Sequence, residues 1–190
     1  MSYRRGFLGI EMAQNSVAIP TFDEFFARIG APARVIEIGT SKGGLSMFMA
    51  LYCLCAGADF TTIDIASNPK YAGPIRKLRG QRIVGDAFDP RFGSHLRERM
   101  KGDGVTVLLC DGGDKVREFN EYAHALKVGD YILAHDYADS RATWVKDEHW
   151  KCCEIELSDI AQAVDAFNLE RYMKDEFTKA AWCCFRKAAQ

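Results

Sequence analysis

Acidic residues recur at the ends of apolar, strand-like segments: Asp64 in FTTIDI, Asp86 after RIVG, Asp111 after VTVLLC and Asp136 after DYILAH. A carboxylate in such a place accepts hydrogen bonds from hydroxyl or amide donors, or ligates a hard cation. Asp111 and Asp136 follow successive strands, and adjacent strands lie about 4.8 Å apart. Their carboxylates can therefore converge on one ion, for which oxygen ligands favour Mg2+, with Mn2+ as the alternative. His135 precedes Asp136 and is either a third ligand or, because side chains alternate along a strand, a base facing a substrate. Asp114 has two readings as well. It is a proton acceptor, weak because an ordinary carboxyl titrates near about 4, or the N-cap of a helix that begins at Lys115.

The second chemical feature is the turn in RVIEIGTSKGGLSMF, residues 34–48, where a strand runs through glycines into an apolar helix. The phosphate loop GxxxxGK[ST] fails, because counting from Gly39 puts Leu45 at the lysine position. The dinucleotide fingerprint GxGxxG fails at its middle glycine, which is Ser41. Such a turn suits a ligand with a nucleoside and a polar tail but no pyrophosphate. Asp64 is placed to accept from ribose hydroxyls, and Asp86 to hold a base edge together with neighbouring backbone groups. Either acid alone reads equally as a cap or turn former, but three consecutive strand ends carrying acids favour a binding site.

These residues need a scaffold that brings strand ends together, and the hydrophobic pattern supplies one. Strands are expected at 34–38, 60–65, 81–85, 105–110, 130–135 and 180–186. Helices are expected at 22–30, 43–57, 73–79, 91–101, 115–127 and 157–167, the last with Ser158 as its N-cap. Short apolar strands alternating with helices imply an α/β fold, a mainly parallel sheet covered on both faces. Ligands of such sheets collect at the carboxyl ends of the strands, near the reversal of strand order.

EIGTSKGG, TIDIA and VGDAF, in this order and spacing, resemble the cofactor motifs of class I S-adenosylmethionine-dependent methyltransferases. LLCDGGDKVREFNEYAHALKVGDYILAHDY is similar to the branch that holds cephalosporin-hydroxylase-like and related small-molecule O-methyltransferases, whose members carry IDGxH and HDY signatures. The likeness spans roughly residues 15–140. It implies a Rossmann-like, doubly wound, seven-stranded sheet with an antiparallel C-terminal strand, in one domain with an N-terminal helical extension over residues 1–30. It implies S-adenosyl-L-methionine as cofactor, held by Glu37, Gly39, Thr40, Ser41, Gly43, Asp64, Asp86, Ala87 and Asp111. It further implies Mg2+ or Mn2+ at Asp111, His135 and Asp136, with Asp114 or His135 as catalytic base. Asp114 departs from the pattern, since relatives carry histidine there. The implied activity is methyl transfer to an oxygen of a small molecule, a sugar or secondary metabolite; a non-catalytic cofactor-binding protein is the alternative. Residues 137–152 form a long polar and aromatic connection read either as a substrate loop, with Tyr137, Arg141, Trp144 and Trp150 facing substrate, or as an ordinary surface loop or oligomer contact.

Composition bounds the rest. The chain has 190 residues, enough for one well-buried domain, and a net charge of −1, which gives no overall attraction to nucleic acid or anionic membrane. The longest apolar run, from Leu45, is too short to span a bilayer, and the start of the chain lacks a signal-peptide core. The seven cysteines show no CxxC spacing and are expected to be free thiols in a reducing cytoplasm. The expected partner is a small-molecule substrate, with a homo-oligomer allowed.

Overall fold

The computed structural model describes residues 3–4, 6–67, 69–146 and 153–189. The chain opens with a two-stranded antiparallel ribbon, β1 (Tyr3–Arg4) and β2 (Gln14–Asn15), and continues with α1 (Ala18–Ile29). Alternating units follow: β3 (Arg34–Ile38), α2 (Gly44–Ala56), β4 (Asp59–Asp64), α3 (Pro69–Lys77), β5 (Gln81–Val84), α4 (Pro90–Lys101), β6 (Thr106–Cys110), α5 (Lys115–Tyr122) and β7 (Tyr131–His135). The C-terminal part holds β8 (Tyr137–Ala138), α6 (Arg141–Lys146), β9 (Ile155–Glu156), α7 (Leu157–Ala166), β10 (Leu169–Arg171), α8 (Lys174–Lys179) and β11 (Trp182–Lys187).

Seven strands form the main sheet in the order β10-β11-β7-β6-β3-β4-β5. The pairs among β3 to β7 are parallel, and β11 runs antiparallel to both β7 and β10. The strand order reverses between β3 and β6, which pair with Ile38 opposite Cys110 at their carboxyl ends. A Rossmann-like, mainly parallel seven-stranded sheet with an antiparallel C-terminal strand is therefore what the chain forms.

The central strands are buried on both faces, so their side chains divide between two cores. Val107 and Leu109 of β6 join Phe22, Phe25, Met49, Ile75 and Phe177 under α1, α2, α3 and α8. Leu108 and Cys110 point the other way, to Leu96, Phe119 and Ile160 of α4, α5 and α7. This period-2 division explains why the strands read as continuous apolar runs. Helix ends follow local chemistry. Asp89 caps α4 with Pro90 at its first position, Asp114 caps α5 by accepting from Arg117 N at 3.0 Å, and Gly57 ends α2 in a left-handed conformation.

Several boundaries differ from the sequence expectation. The first helix starts at Ala18 rather than residue 22, because VAIP already packs Ala18 into the core. The expected helix at 73–79 begins at Pro69 and ends at Lys77. That at 115–127 is α-helical only to Tyr122 and tightens to a 3-10 turn at Ala123–Ala125. Ser158 is not the cap of α7. Glu156 holds that position, forming a capping box in which Asp159 accepts from Glu156 N at 2.9 Å, while Ser158 donates to Glu156. The last strand begins at Trp182, since Ala181 lies at a φ of 62° just beyond α8. Elements β1, β2, β8 to β10, α6 and α8 are short and were not expected; the β1–β2 ribbon lies where a helical extension over residues 1–30 was expected, and helix there begins only at Ala18. Trp150 and Cys152 lie outside the described residues, and the described cysteines are free thiols, with burial pushing Cys53 up to about 12.

Asp130 joins β6 to β7 from a buried position. Its carboxylate accepts from Thr106 N at 2.7 Å, Lys127 N at 2.8 Å and Lys127 Nζ at 2.9 Å. Asp130→Ala would leave the Thr106 and Lys127 N–H groups without their acceptor, so urea unfolding should show a loss of about 2 kcal/mol or more. A loss under about 1 kcal/mol would show that water replaces the carboxylate.

Candidate functional site

The five parallel strands end on one edge of the sheet, and the turn after β3 folds across the end of β6. Asp111 N donates to Ile38 O at 2.9 Å, and Gly39 N donates to Ile63 O at 2.8 Å. Gly39 has a φ of 98°, and a Cβ there would lie 2.2 Å from the Asp111 carbonyl oxygen. Only glycine permits this approach. Beyond it, Ser41 N donates to one Asp64 oxygen at 2.8 Å, and Ala66 N to the other at 2.7 Å. Asp64 thus ties the turn after β3 to the loop after β4, while Asp86 accepts from Phe88 N at 2.8 Å and shapes its own loop. Both acids serve as turn formers, one of the two readings open in the sequence, and both stay on the cleft wall.

Two adjoining cavities open here. One, of about 590 Å³, is lined by residues 63–66, 85–88 and 111–114. The other, of about 850 Å³, is lined by residues 39–45, Glu37, Asp111, Lys115, His135, Asp136 and part of the N-terminal segment. They share Gly39, Ser41, Asp111 and Gly112, so the β3–β6 junction forms the waist of one bipartite cleft. Asp64, Asp86 and Ala87 line the first part, Thr40, Gly43, His135 and Asp136 the second. Thr40 presents little to it: buried, its hydroxyl lies 2.7 Å from that of Thr62.

Glu37 lies on the α2 face of β3 and is 1% exposed. Ser46 of α2 donates to its Oε2 at 2.5 Å, and Oε1 has no hydrogen-bond partner among the described residues. Burial pushes the carboxyl up to about 8, against hydrogen bonding from Ser46 and Thr62. A buried acid with one unengaged oxygen on a cavity wall suits a cationic or donating ligand group.

At the ends of β6 and β7 the side chains form a chain of polar contacts. His135 Nδ1 lies 2.9 Å from Asp111 Oδ1 and 3.5 Å from Asp136 Oδ2. Gln14, from β2, donates to Asp111 Oδ2 at 2.8 Å and accepts from Trp182 Nε1 at 2.8 Å; the indole also stacks on His135. Lys115 Nζ contacts Glu154 at 2.5 Å, Gly112 O at 3.0 Å and Asp136 Oδ2 at 3.3 Å. Burial pulls the Lys115 ammonium down, but Asp111, Glu154 and Asp136 outweigh it and raise it above the ordinary lysine value. Glu118 backs the turn by accepting from Gly112 N at 3.1 Å and Asp114 N at 3.3 Å, and burial pushes it up to about 7.

The three expected metal ligands, Asp111, His135 and Asp136, do come together, but the donor set suits Mg2+ poorly. Mg2+ demands an octahedral oxygen shell at about 2.1 Å. Here one Asp111 oxygen faces an imidazole, the other is bonded by an amide, and Asp136 Oδ2 faces an ammonium. Among the described residues no three His, Cys, Asp or Glu side chains are arranged to hold a metal. Asp114 is engaged as the cap of α5.

Gln14, Lys115, Glu118, Glu154 and Trp182 were not singled out in the sequence. Lys115 alone left a signal, as a cation in the first turn of a helix, where the macrodipole disfavours it. The expected substrate residues do not reach either cavity. Tyr137 is fully buried, its hydroxyl donating to Asp139 at 2.9 Å and accepting from Arg171 at 2.6 Å. Arg141 pairs with Glu156 at 2.7 Å, and Trp144 is buried beside Ala138 and Ala181. In the described part of the connection after β7, Tyr137, Arg141 and Trp144 are thus engaged with neighbouring segments.

Glu37 carries a pH signature. The folded state holds its proton up to about 8, whereas the unfolded chain releases it in the ordinary range, so stability falls as pH rises through that window, by about 1.4 kcal/mol per unit. Glu37→Gln should raise the Tm of the ligand-free protein at about pH 9, with the gain vanishing toward about pH 5. A gain independent of pH would mean that Glu37 is ionised throughout.

No protein-family model matches this sequence, and no curated protein is similar to it. Solved structures do match in fold. An apo structure of CmcI aligns with 97% of this chain and 76% of its own, at a TM-score of 0.66 and 14% identity. A CmcI structure described as holding Mg and SAM aligns over the same shares, at a TM-score of 0.65 and 15% identity. A putative O-methyltransferase from Klebsiella pneumoniae covers 95% of this chain and 84% of its own, at a TM-score of 0.56 and 14% identity. With the strand order, the reversal between β3 and β6 and the glycine waist already in place, the chain has the fold of the class I S-adenosylmethionine-dependent methyltransferases.

Proposed function

We propose that this protein is an S-adenosylmethionine-dependent methyltransferase acting on an oxygen of a small molecule. The observation that carries this reading is the bipartite cleft pinched at Gly39 and Asp111. Its narrower part, with Ile65, Ala87 and the Asp64 and Asp86 loops, suits a nucleoside. Its larger part offers the unengaged Glu37 oxygen to the ammonium of an amino-acid tail. The turn after β3 carries Leu45 at the lysine position of a phosphate loop and Ser41 at the middle glycine of a dinucleotide fingerprint. The similar solved structures include a TomG O-methyltransferase from Streptomyces achromogenes in complex with SAM, at a TM-score of 0.51 and 13% identity, which agrees with this reading.

The chemistry is an in-line displacement. The substrate oxygen attacks the methyl carbon as the carbon–sulfur bond breaks, its electron pair passing to sulfur and neutralising the sulfonium. The hydroxyl proton passes to the His135–Asp111 pair, whose 2.9 Å contact orients the imidazole. Trp182 stacks on His135 and Gln14 donates to Asp111, holding the pair in place, so alignment rather than covalent assistance supplies much of the rate. Of the two carboxylates at these strand ends, Asp136 is paired with Lys115 and Asp111 with His135 and Gln14.

Calorimetric titration tests the reading directly. S-adenosylmethionine and its demethylated product should both bind with a Kd on the order of micromolar, and NAD should not compete. Gly39→Val should abolish that binding by closing the waist. Absence of binding by the wild-type protein would overturn the proposal. Binding with transfer of labelled methyl to carbon or nitrogen acceptors alone would overturn the oxygen assignment.

A further inference from the structure

Lys115 is out of place by two local criteria and well placed by one tertiary criterion. It opens α5, where the helix macrodipole repels a cation, and its side chain is only 5% exposed. Burying an ammonium there is unfavourable unless anionic partners surround it. The partners come from three separate segments: the Gly112 carbonyl in the turn after β6, Asp136 after β7, and Glu154 just before β9. Asp111 adds its field from the end of β6. A single positive centre thus sits among oxygens delivered by successive strand ends, the arrangement by which a divalent ion would gather them. Asp136 itself is held at a φ of 55°, a left-handed conformation rare for a non-glycine residue, which is consistent with a carboxylate fixed in place by tertiary partners.

We infer that Lys115 is an internal cation that takes the place of the divalent metal, organising Asp136 and Glu154 at the cofactor cleft and leaving the site with no need of Mg2+ or Mn2+. The inference deepens the methyltransferase reading and rests on it for the meaning of the site. An ammonium makes a few directed hydrogen bonds and carries one charge, whereas Mg2+ carries two and orders six ligands. Lys115 therefore neutralises and positions the carboxylates, but it does not acidify a substrate hydroxyl as a Lewis acid would. That leaves deprotonation to His135 and Asp111, which form a contact separate from the ammonium.

The test uses Mn2+ as the probe, followed by calorimetry and by electron paramagnetic resonance of the free ion, in the presence of the demethylated cofactor. Wild-type protein should show no stoichiometric Mn2+ binding, and chelation should leave its affinity for the demethylated cofactor unchanged. Lys115→Met removes the ammonium from beside Asp136 and Glu154 and should raise Mn2+ affinity by about tenfold or more, with Lys115→Arg behaving as wild type. Lys115→Gln serves as a second variant if Lys115→Met does not fold, and if neither folds the wild-type titration decides. One equivalent of Mn2+ bound by the wild type overturns the inference, as does a folded Lys115→Met or Lys115→Gln with no gain in Mn2+ affinity. Either result can occur while the demethylated cofactor still binds, which leaves the methyltransferase reading intact. Failure of the wild type to bind that cofactor overturns the reading itself, and with it this inference.

Discussion

The close approach of two strand ends governs this site. β3 and β6 lie side by side at the reversal of strand order, and the turn after β3 must cross the end of β6 to enter α2. That crossing exists because Gly39 has no Cβ to strike the Asp111 carbonyl. The backbone hydrogen bonds from Gly39 to β4 and from Asp111 to β3 lock it. Everything chemical hangs on this junction: Glu37 is fixed one turn of the pleat beneath it, Ser41 reaches Asp64 above it, and Asp111 faces His135 beside it. A bulkier residue at position 39 would separate the two cavities' shared wall rather than alter one contact.

Around the junction the carboxylates are met by cations, amides or backbone donors. Asp111 is paired by His135 and Gln14, Asp136 and Glu154 by Lys115, Asp64 by two backbone N–H groups, and Glu118 by two more. Glu37 is the exception, answered on one oxygen only, and burial holds its proton to unusually high pH. A cationic ligand group beside Glu37 would favour the ionised form, so ligand binding and proton release at this residue are linked. The apolar surroundings that make Glu37 costly in the empty protein are also what would give its interaction with a ligand cation its strength.

The sheet was legible because its strands are buried on both faces and its helices begin and end with recognisable chemistry. VIEI, TVLLC and YILAH admit no solvent-facing alternation, and Asp89-Pro90 and Gly57 mark helix ends by local sterics alone. The substrate loop was not legible in the same way. Tyr137, Arg141 and Trp144 have the composition of a binding surface, yet they pair with Arg171, Glu156 and Ala181 from distant segments. Ser158 misled for a similar reason: a capping box gives the cap to Glu156 because Asp159 returns a second hydrogen bond.

By itself the sequence determined the strand order's raw material, the glycine turn, and the acids at strand ends, because each depends on neighbours within a few residues. It also excluded a phosphate loop through Leu45 and Ser41. Only the tertiary structure decided which acids remain available. Gln14 reaches Asp111 from the N-terminal ribbon, Trp182 reaches Gln14 from the last strand, and Glu154 reaches Lys115 from beyond β7. Such pairings join residues far apart in the chain, and long-range electrostatic satisfaction leaves no periodic trace for a sequence to show. The Lys115 ammonium, too, meets Asp136 and Glu154 only because the fold brings three separate segments together.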